Sequence, residues 1–157
     1  MSIDQREFRN ALGAFATGIT VVTTKTQTGE LYGVTINSFA SVSLEPPMVL
    51  FSLKTLNPLC RFFETSETFN VGILSSEQEN TSNLFAGPTE DKFAQADWKE
   101  GNNGTPVLNG TLANLECKRM AAYLGGDHTI FIGEVTSLDL APSGDPLLYY
   151  KGGYKTL

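Results

Sequence analysis

Apolar residues recur along this chain with two periods. Near the N-terminus Phe8, Leu12 and Phe15 stand at helical spacing, and Ser2 with Gln5 has the form of a capping box, which predicts an opening helix. Period two then takes over. GITVVTTKT is dense in β-branched residues, and TQTGEL reads as a turn. From Thr35 to Leu44 one set of alternate positions is Ile36, Ser38, Ala40, Val42 and Leu44, and the other is Thr35, Asn37, Phe39, Ser41 and Ser43. This predicts a strand as far as the interruption at Pro46–Pro47. MVLFSL follows as a near-continuous apolar run, suited to a central strand.

LNPLCRFFETS reads as a short helix with Asn57 as N-cap and Pro58 as first helical residue. FNVGIL is a second buried strand. Ser76 and Glu79 form another capping box before a helix through Leu84 and Phe85, and residues 87–105, with the only tryptophan, Trp98, read mostly as loop. TPVL and TLANLECKRMAAYL flank Asn109–Gly110, a strong hairpin signal. Gly125-Gly126-Asp127 then turns into TIFIGEVTSLDL, and APSGDP precedes LLYYKGGYKTL. Many strands adjacent in sequence, with few helices long enough for parallel crossovers, predict a mainly β fold. An antiparallel barrel with a few peripheral helices, as one domain over 1–157, is the expected architecture.

The polar positions of Thr35–Leu44 are unusual because no charged residue occurs from Leu31 to Leu44. Two readings fit. Either this face lies against another part of the protein, or it meets a flat, polar small molecule that short hydroxyls allow to come close.

Composition is that of a globular chain: 157 residues, 41% apolar and 18% charged. No apolar run approaches a membrane span, and MSIDQREF lacks the apolar core of a signal peptide, so a cytoplasmic protein without membrane contact is expected. A net charge of −6 with scattered basic residues argues against nucleic acid as partner. Cys60 and Cys117 are too few for a disulfide framework and are expected to be reduced and buried.

Several chemistries drop out. GxGxxG, GxxxxGK[ST] and GxSxG are absent, and a single histidine excludes a His-rich metal centre within one chain, so no metal is expected. The positive candidates are few. Lys54, Asn57, Pro58 and Arg61 make a basic cluster at a helix start, suited to phosphate or merely a capped surface helix. Lys92 is a further phosphate partner or a solvated lysine. Gly125-Gly126-Asp127-His128 sets the one histidine beside a carboxylate at a hairpin lip, either to meet a ligand or as an idle turn. Tyr149-Tyr150-Lys151-Gly152-Gly153-Tyr154 offers aromatic faces for stacking or for packing.

The segments FRNALGAFATGITVVTT, GVTINSFASVSLEPPMVLFSL, FNVGIL, GTPVLNGTLANLEC, GGDHTIFIGEV and PLLYYKGGY, in this order and spacing, resemble the flavin reductase family. The chain is similar to the small reductase component of two-component flavin-dependent monooxygenases. That resemblance implies an FMN-binding split β-barrel with Greek-key-like connections and a homodimer holding FMN or FAD at its interface. It implies oxidation of NADH or NADPH and delivery of reduced flavin to a separate monooxygenase. By position it places Thr35, Asn37, Ser38 and Ser41 along the isoalloxazine and ribityl chain. Ser52, Lys54, Asn57, Phe85 and Lys92 fall on the ribityl–phosphate side, and Asp127, His128, Tyr149 and Tyr154 on the nicotinamide-nucleotide side. Leu56 and Asn57 stand where family members often carry Ser or Thr. No catalytic nucleophile is implied: hydride transfer between stacked rings is a matter of positioning, with His128 an orienting group. An FMN-retaining electron-transfer flavoprotein and a non-catalytic flavin- or haem-binding barrel are the alternatives. Lys118 and Arg119 face either a 2′-phosphate or water.

Overall fold

The computed structural model describes residues 2–157. In chain order these form α1 (Gln5–Gly13), β1 (Thr17–Gly18), β2 (Thr20–Lys25), β3 (Leu31–Ile36), β4 (Ala40–Leu44), β5 (Pro47–Lys54), α2 (Cys60–Thr65), β6 (Thr68–Ile73), α3 (Glu79–Ala86) and β7 (Trp98–Glu100). The C-terminal third adds β8 (Pro106–Leu108), β9 (Ala113–Gly125), β10 (His128–Leu140), β11 (Leu148–Tyr150) and β12 (Gly153–Lys155). Every strand pairing is antiparallel.

Seven strands make the main sheet in the order β3-β2-β6-β9-β10-β5-β4. Its two edge strands, β3 and β4, are consecutive in the chain, so the sheet must curl until its edges approach. Ser38, between them, holds the junction: its hydroxyl accepts from the Ser52 amide at 3.0 Å and donates to the Ser52 carbonyl at 2.8 Å. The edges are not paired to each other, which leaves a split barrel. Register shifts in the long β9–β10 hairpin, at Ile132/Gly133 and Val135/Ser137, supply local bends of the kind that curl a sheet.

The barrel interior holds Phe51, Phe63, Phe69 and Phe131, with Val22 and Val71 from the neighbouring strands. Val21, on the opposite face of β2, packs outside the barrel with Phe85, Phe93, Leu108 and Leu147. Burial on both faces explains why β2 and β6 lack a polar face. Their buried hydroxyls are bonded: Thr23 donates to the Pro106 carbonyl at 2.6 Å and Thr24 to that of Thr68 at 2.8 Å. A separate sheet of β1, β11 and β12 lies beside this second cluster.

Several local expectations are corrected. Thr35–Leu44 is two strands, because the chain bends at residues 37–39 to pass from one sheet edge to the other. The α1 N-cap is Asp4, whose carboxylate accepts from the Arg6 and Glu7 amides at 2.9 Å; an anion there also suits the positive helix end. Ser76 does not cap α3: Gln78 occupies that position and turns its side chain back to accept from the Ser75 amide at 3.0 Å. At Asn109–Gly110 the turn forms, with Gly110 at φ 76°, but β8 pairs with β7. It cannot pair with β9, whose two edges are taken by β6 and β10. Cys60 and Cys117 are free and buried, as expected.

Candidate functional site

Two adjoining clefts run along β3. The larger, about 670 Å³, is lined by Tyr32, Gly33 and Val34, by Asn57 and Leu59, and by the segment from Phe85 to Phe93. The smaller, about 250 Å³, is lined by Thr35, Ile36 and Asn37, by Ser82 and Ala86, and by Tyr149 and Tyr154. Ala86, at the end of α3, borders both.

Sequence dictates this arrangement locally. Helix α3 buries Ser82 and Phe85, three residues apart and so on one face. Phe85 fits beneath Gly33: a methyl group there would lie 2.7 Å from its ring and 3.3 Å from Phe93. Helix α3 is therefore seated against β3, where its last turn forms the wall between the clefts. Lys92 closes the larger cleft by donating to the Phe85 carbonyl at 2.9 Å, and partial burial holds its pKa below the usual lysine value. At the smaller cleft Thr35 donates to the Ser82 carbonyl at 2.7 Å. The Tyr154 hydroxyl sits 2.8 Å from that of Ser82 and donates to the Asn83 carboxamide at 3.0 Å. Tyr149 packs edge-on against Tyr154 with centroids 6.0 Å apart. The C-terminal hairpin is thus fastened to α3, with its turn also tied to α1 where the Lys151 amide donates to the Gly13 carbonyl at 2.9 Å.

Of the residues singled out in the sequence, Thr35, Asn37, Asn57, Phe85, Lys92, Tyr149 and Tyr154 line these clefts. Phe85 does so from a fully buried position, as floor. Ser38 and Ser52 bond to each other at the sheet junction. Ser41 is exposed on β4, opposite Val49. Lys54 and His128 are register partners at the far end of β5 and β10. There His128 Nδ1 lies 2.7 Å from the Asp127 carboxylate, and that bond holds the Asp127 pKa below its ordinary value. This group shares no bond with Tyr149 or Tyr154, which sit with the Thr35–Asn37 strand.

The helix-start phosphate site is not assembled as expected. Helix α2 begins at Cys60, and Asn57 caps the preceding turn: its carboxamide oxygen accepts from the Leu59 amide and its carbonyl from the Cys60 amide, both at 2.9 Å. The Leu59 and Cys60 amides are therefore paired within the turn. Arg119 donates to the Ser66 carbonyl at 2.8 Å and lines neither cleft. The sequence reading missed Ser82, Asn83 and Tyr32. Ser82 had one signal, its spacing from Phe85 on the buried face of α3; Asn83 and Tyr32 had none.

The donor set suits a flavin. The charge-free strand β3 and the exposed Asn37 carboxamide just beyond it share the smaller cleft with Tyr149 and Tyr154, and Lys92, from the loop after α3, lines the adjoining one, a set that suits a neutral heterocycle carried on a phosphate-bearing chain. Comparison with known proteins agrees. Residues 12–157 match the family described as flavin reductase like domain. The FMN reductase (NADH) SmoA of Agrobacterium fabrum is 44% identical over 96% of this chain and 85% of its own. The reductase subunit HsaB of a flavin-dependent monooxygenase from Rhodococcus jostii is 41% identical over 98% of this chain and 78% of its own. The solved structure of Streptomyces globisporus NADH:FAD oxidoreductase SgcE6, in complex with NAD and FAD fragments, superposes with a TM-score of 0.92 at 38% identity, covering 97% of this chain and 92% of that one. The motifs, the split barrel and these matches together establish that the chain belongs to the flavin reductase family.

Proposed function

We propose that residues 1–157 act as a single NAD(P)H:flavin oxidoreductase domain that supplies reduced flavin to a separate monooxygenase, with the flavin lying along β3. One observation carries this reading: uncharged Thr35 and Asn37, the Tyr149–Tyr154 pair and the cation Lys92 all converge on adjoining clefts of one strand. Asn37 meets the polar edge of the ring system, and Lys92 the phosphate. Bound flavin supplies a hydride acceptor for reduced nicotinamide. The chain's own residues position. Thr35, tied to Ser82, keeps β3 against α3, and Tyr154, tied to Ser82 and Asn83, sets the aromatic wall at a fixed distance from the strand. Ser38 holds the β3–β4 junction and acts on the site through the backbone. Ser41, Ser52 and Lys54 lie on the strands next to that junction, and Asp127 orients His128 for the nicotinamide nucleotide.

The protein assembles as a homodimer in this reading. Helix α1 buries none of its residues, and its apolar stripe is open, with Phe8, Leu12 and Phe15 at 53, 57 and 78% exposure. Leu44, on the edge strand, is 94% exposed. Such a surface needs a cover, and a second copy supplies one. It also offers a route by which His128 and the tyrosines of different subunits meet one ligand pair. Among the described residues no helix is long and apolar enough to cross a membrane. A cytoplasmic location is part of the proposed reading.

The test is oxidation of NADH and NADPH, followed by absorbance, with and without added FMN or FAD. Turnover that requires flavin and saturates with it is expected; no turnover with any pair would reduce the protein to a binding barrel. His128→Ala is expected to raise the KM for the nicotinamide nucleotide well above any change in the flavin KM, and equal effects would remove His128 from that role.

A further inference from the structure

The names of the relatives divide between FMN and FAD, so kinship leaves the flavin open. The clefts do not treat the two alike. Strand β3 advances roughly 3.4 Å per residue, so Tyr32 and Ile36 lie about 14 Å apart along one rail. With the ring at the Thr35–Asn37 end, the smaller cleft gives way past Ala86 to the larger one, which offers about 670 Å³ along β3 as far as Tyr32, with Lys92 on its wall.

That end has the character of a base-binding surface. The Tyr32 ring stacks on Phe62 with centroids 3.7 Å apart and planes within 7°, while the Arg61 guanidinium lies 4.7 Å from the Phe62 centroid. Phe62 is already covered on one face by Tyr32, so the guanidinium takes the other. Tyr32 is thereby held against α2 while it lines the larger cleft, where an aromatic side chain offers a planar ring a surface to stack on. The charges point the same way. Lys92 is the one cation among the described residues lining the cleft, and Glu30, Glu90 and Asp91 share its walls. Glu30 is held in place by the Thr26 hydroxyl at 3.0 Å. Carboxylates accept hydrogen bonds from ribose hydroxyls and an exocyclic amine, the groups that the adenosine half of FAD carries and FMN lacks.

We infer that this chain binds FAD in preference to FMN, seating the adenosine half against Tyr32 beyond Lys92. The inference rests on the flavin reductase reading above. Its test is titration of the purified protein with FAD and with FMN, followed by flavin fluorescence, alongside the KM for NADH. FAD is expected to bind about tenfold more tightly, the scale of one base stacked on an aromatic side chain. Tyr32→Ala should bring the ratio close to one and Tyr32→Phe should retain it. Tyr32→Leu, which keeps bulk against Phe62 without an aromatic face, should behave like the alanine variant. FMN binding as tight as FAD in the native protein overturns the inference, as does an unchanged ratio in both the alanine and leucine variants. A loss confined to the KM for NADH overturns it too, by placing the adenine of the nicotinamide nucleotide there. Binding of neither flavin overturns the parent reading itself.

Discussion

Gly33 is where the fold and the site meet most tightly, and Gly33→Ala tests that junction. An alanine methyl would sit 2.7 and 2.8 Å from two atoms of the Phe85 ring and 3.3 Å from Phe93, whereas carbon atoms prefer about 3.5–4.0 Å. One of these groups must retreat by close to 1 Å. Neither has room: Phe85 is fully buried and packed edge-on against Phe93, which packs in turn on Trp98. Overpacking of this kind costs about 1–3 kcal/mol, and a strand alanine recovers about 0.5–1 kcal/mol of the entropy that glycine loses. The net expectation is a loss of about 1 kcal/mol, within about 0–2.5 kcal/mol. With a urea m-value of about 2 kcal/mol/M the unfolding midpoint should fall by about 0.5 M. Because Phe85 carries the carbonyl that anchors Lys92, flavin affinity should fall in the same variant. Adding Phe85→Leu, which vacates the contested space, should recover part of the stability. A Gly33→Ala protein with native midpoint and native flavin affinity would refute the account of how α3 is seated on β3.

Cys117 predicts an alkaline weakness. Burial pushes its thiol from 9.0 up to about 12, so between those values the unfolded chain has released a proton that the folded chain retains. Stability must then fall as pH rises through this window, by at most on the order of 4 kcal/mol, and Cys117→Ala should flatten the decline in urea titrations; an unchanged slope would exclude this thiol as the cause. Tyr154→Phe removes the hydroxyl that ties the C-terminal hairpin to Ser82 and Asn83; it should raise the KM for the nicotinamide nucleotide several-fold and, by leaving the buried Ser82 hydroxyl without that partner, lower stability by about 1–3 kcal/mol. A native KM would mean that the hairpin needs no such fastening. Replacing Phe8 and Leu12 of α1, and Phe15 just beyond it, by serine should shift the protein towards monomer in sedimentation and weaken flavin binding with it. A dimer that survives all three changes would move the interface elsewhere.

Chemical character was written locally and could be read from the chain alone. The β-branched run of β2, the apolar run of β5 and the glycine turn before His128 each specify a strand or hairpin through backbone preferences and side-chain period, which act over a few residues. The charge-free stretch around Thr35 likewise stood out from the chain's composition alone. Proximity was not local. Whether Asn109–Gly110 joins paired strands depended on which edges of β9 were already occupied, and whether the amides before α2 were free depended on how the Asn57 side chain turned. Ser38, singled out beside the ring, also ties a sheet junction, and Ser82 and Tyr32 came to line the clefts only when α3 and β3 packed together. Sequence period determined which residues could form the elements. The curl of one sheet, set by bulges, bends and the volume of four phenylalanines, decided which of them share a cleft.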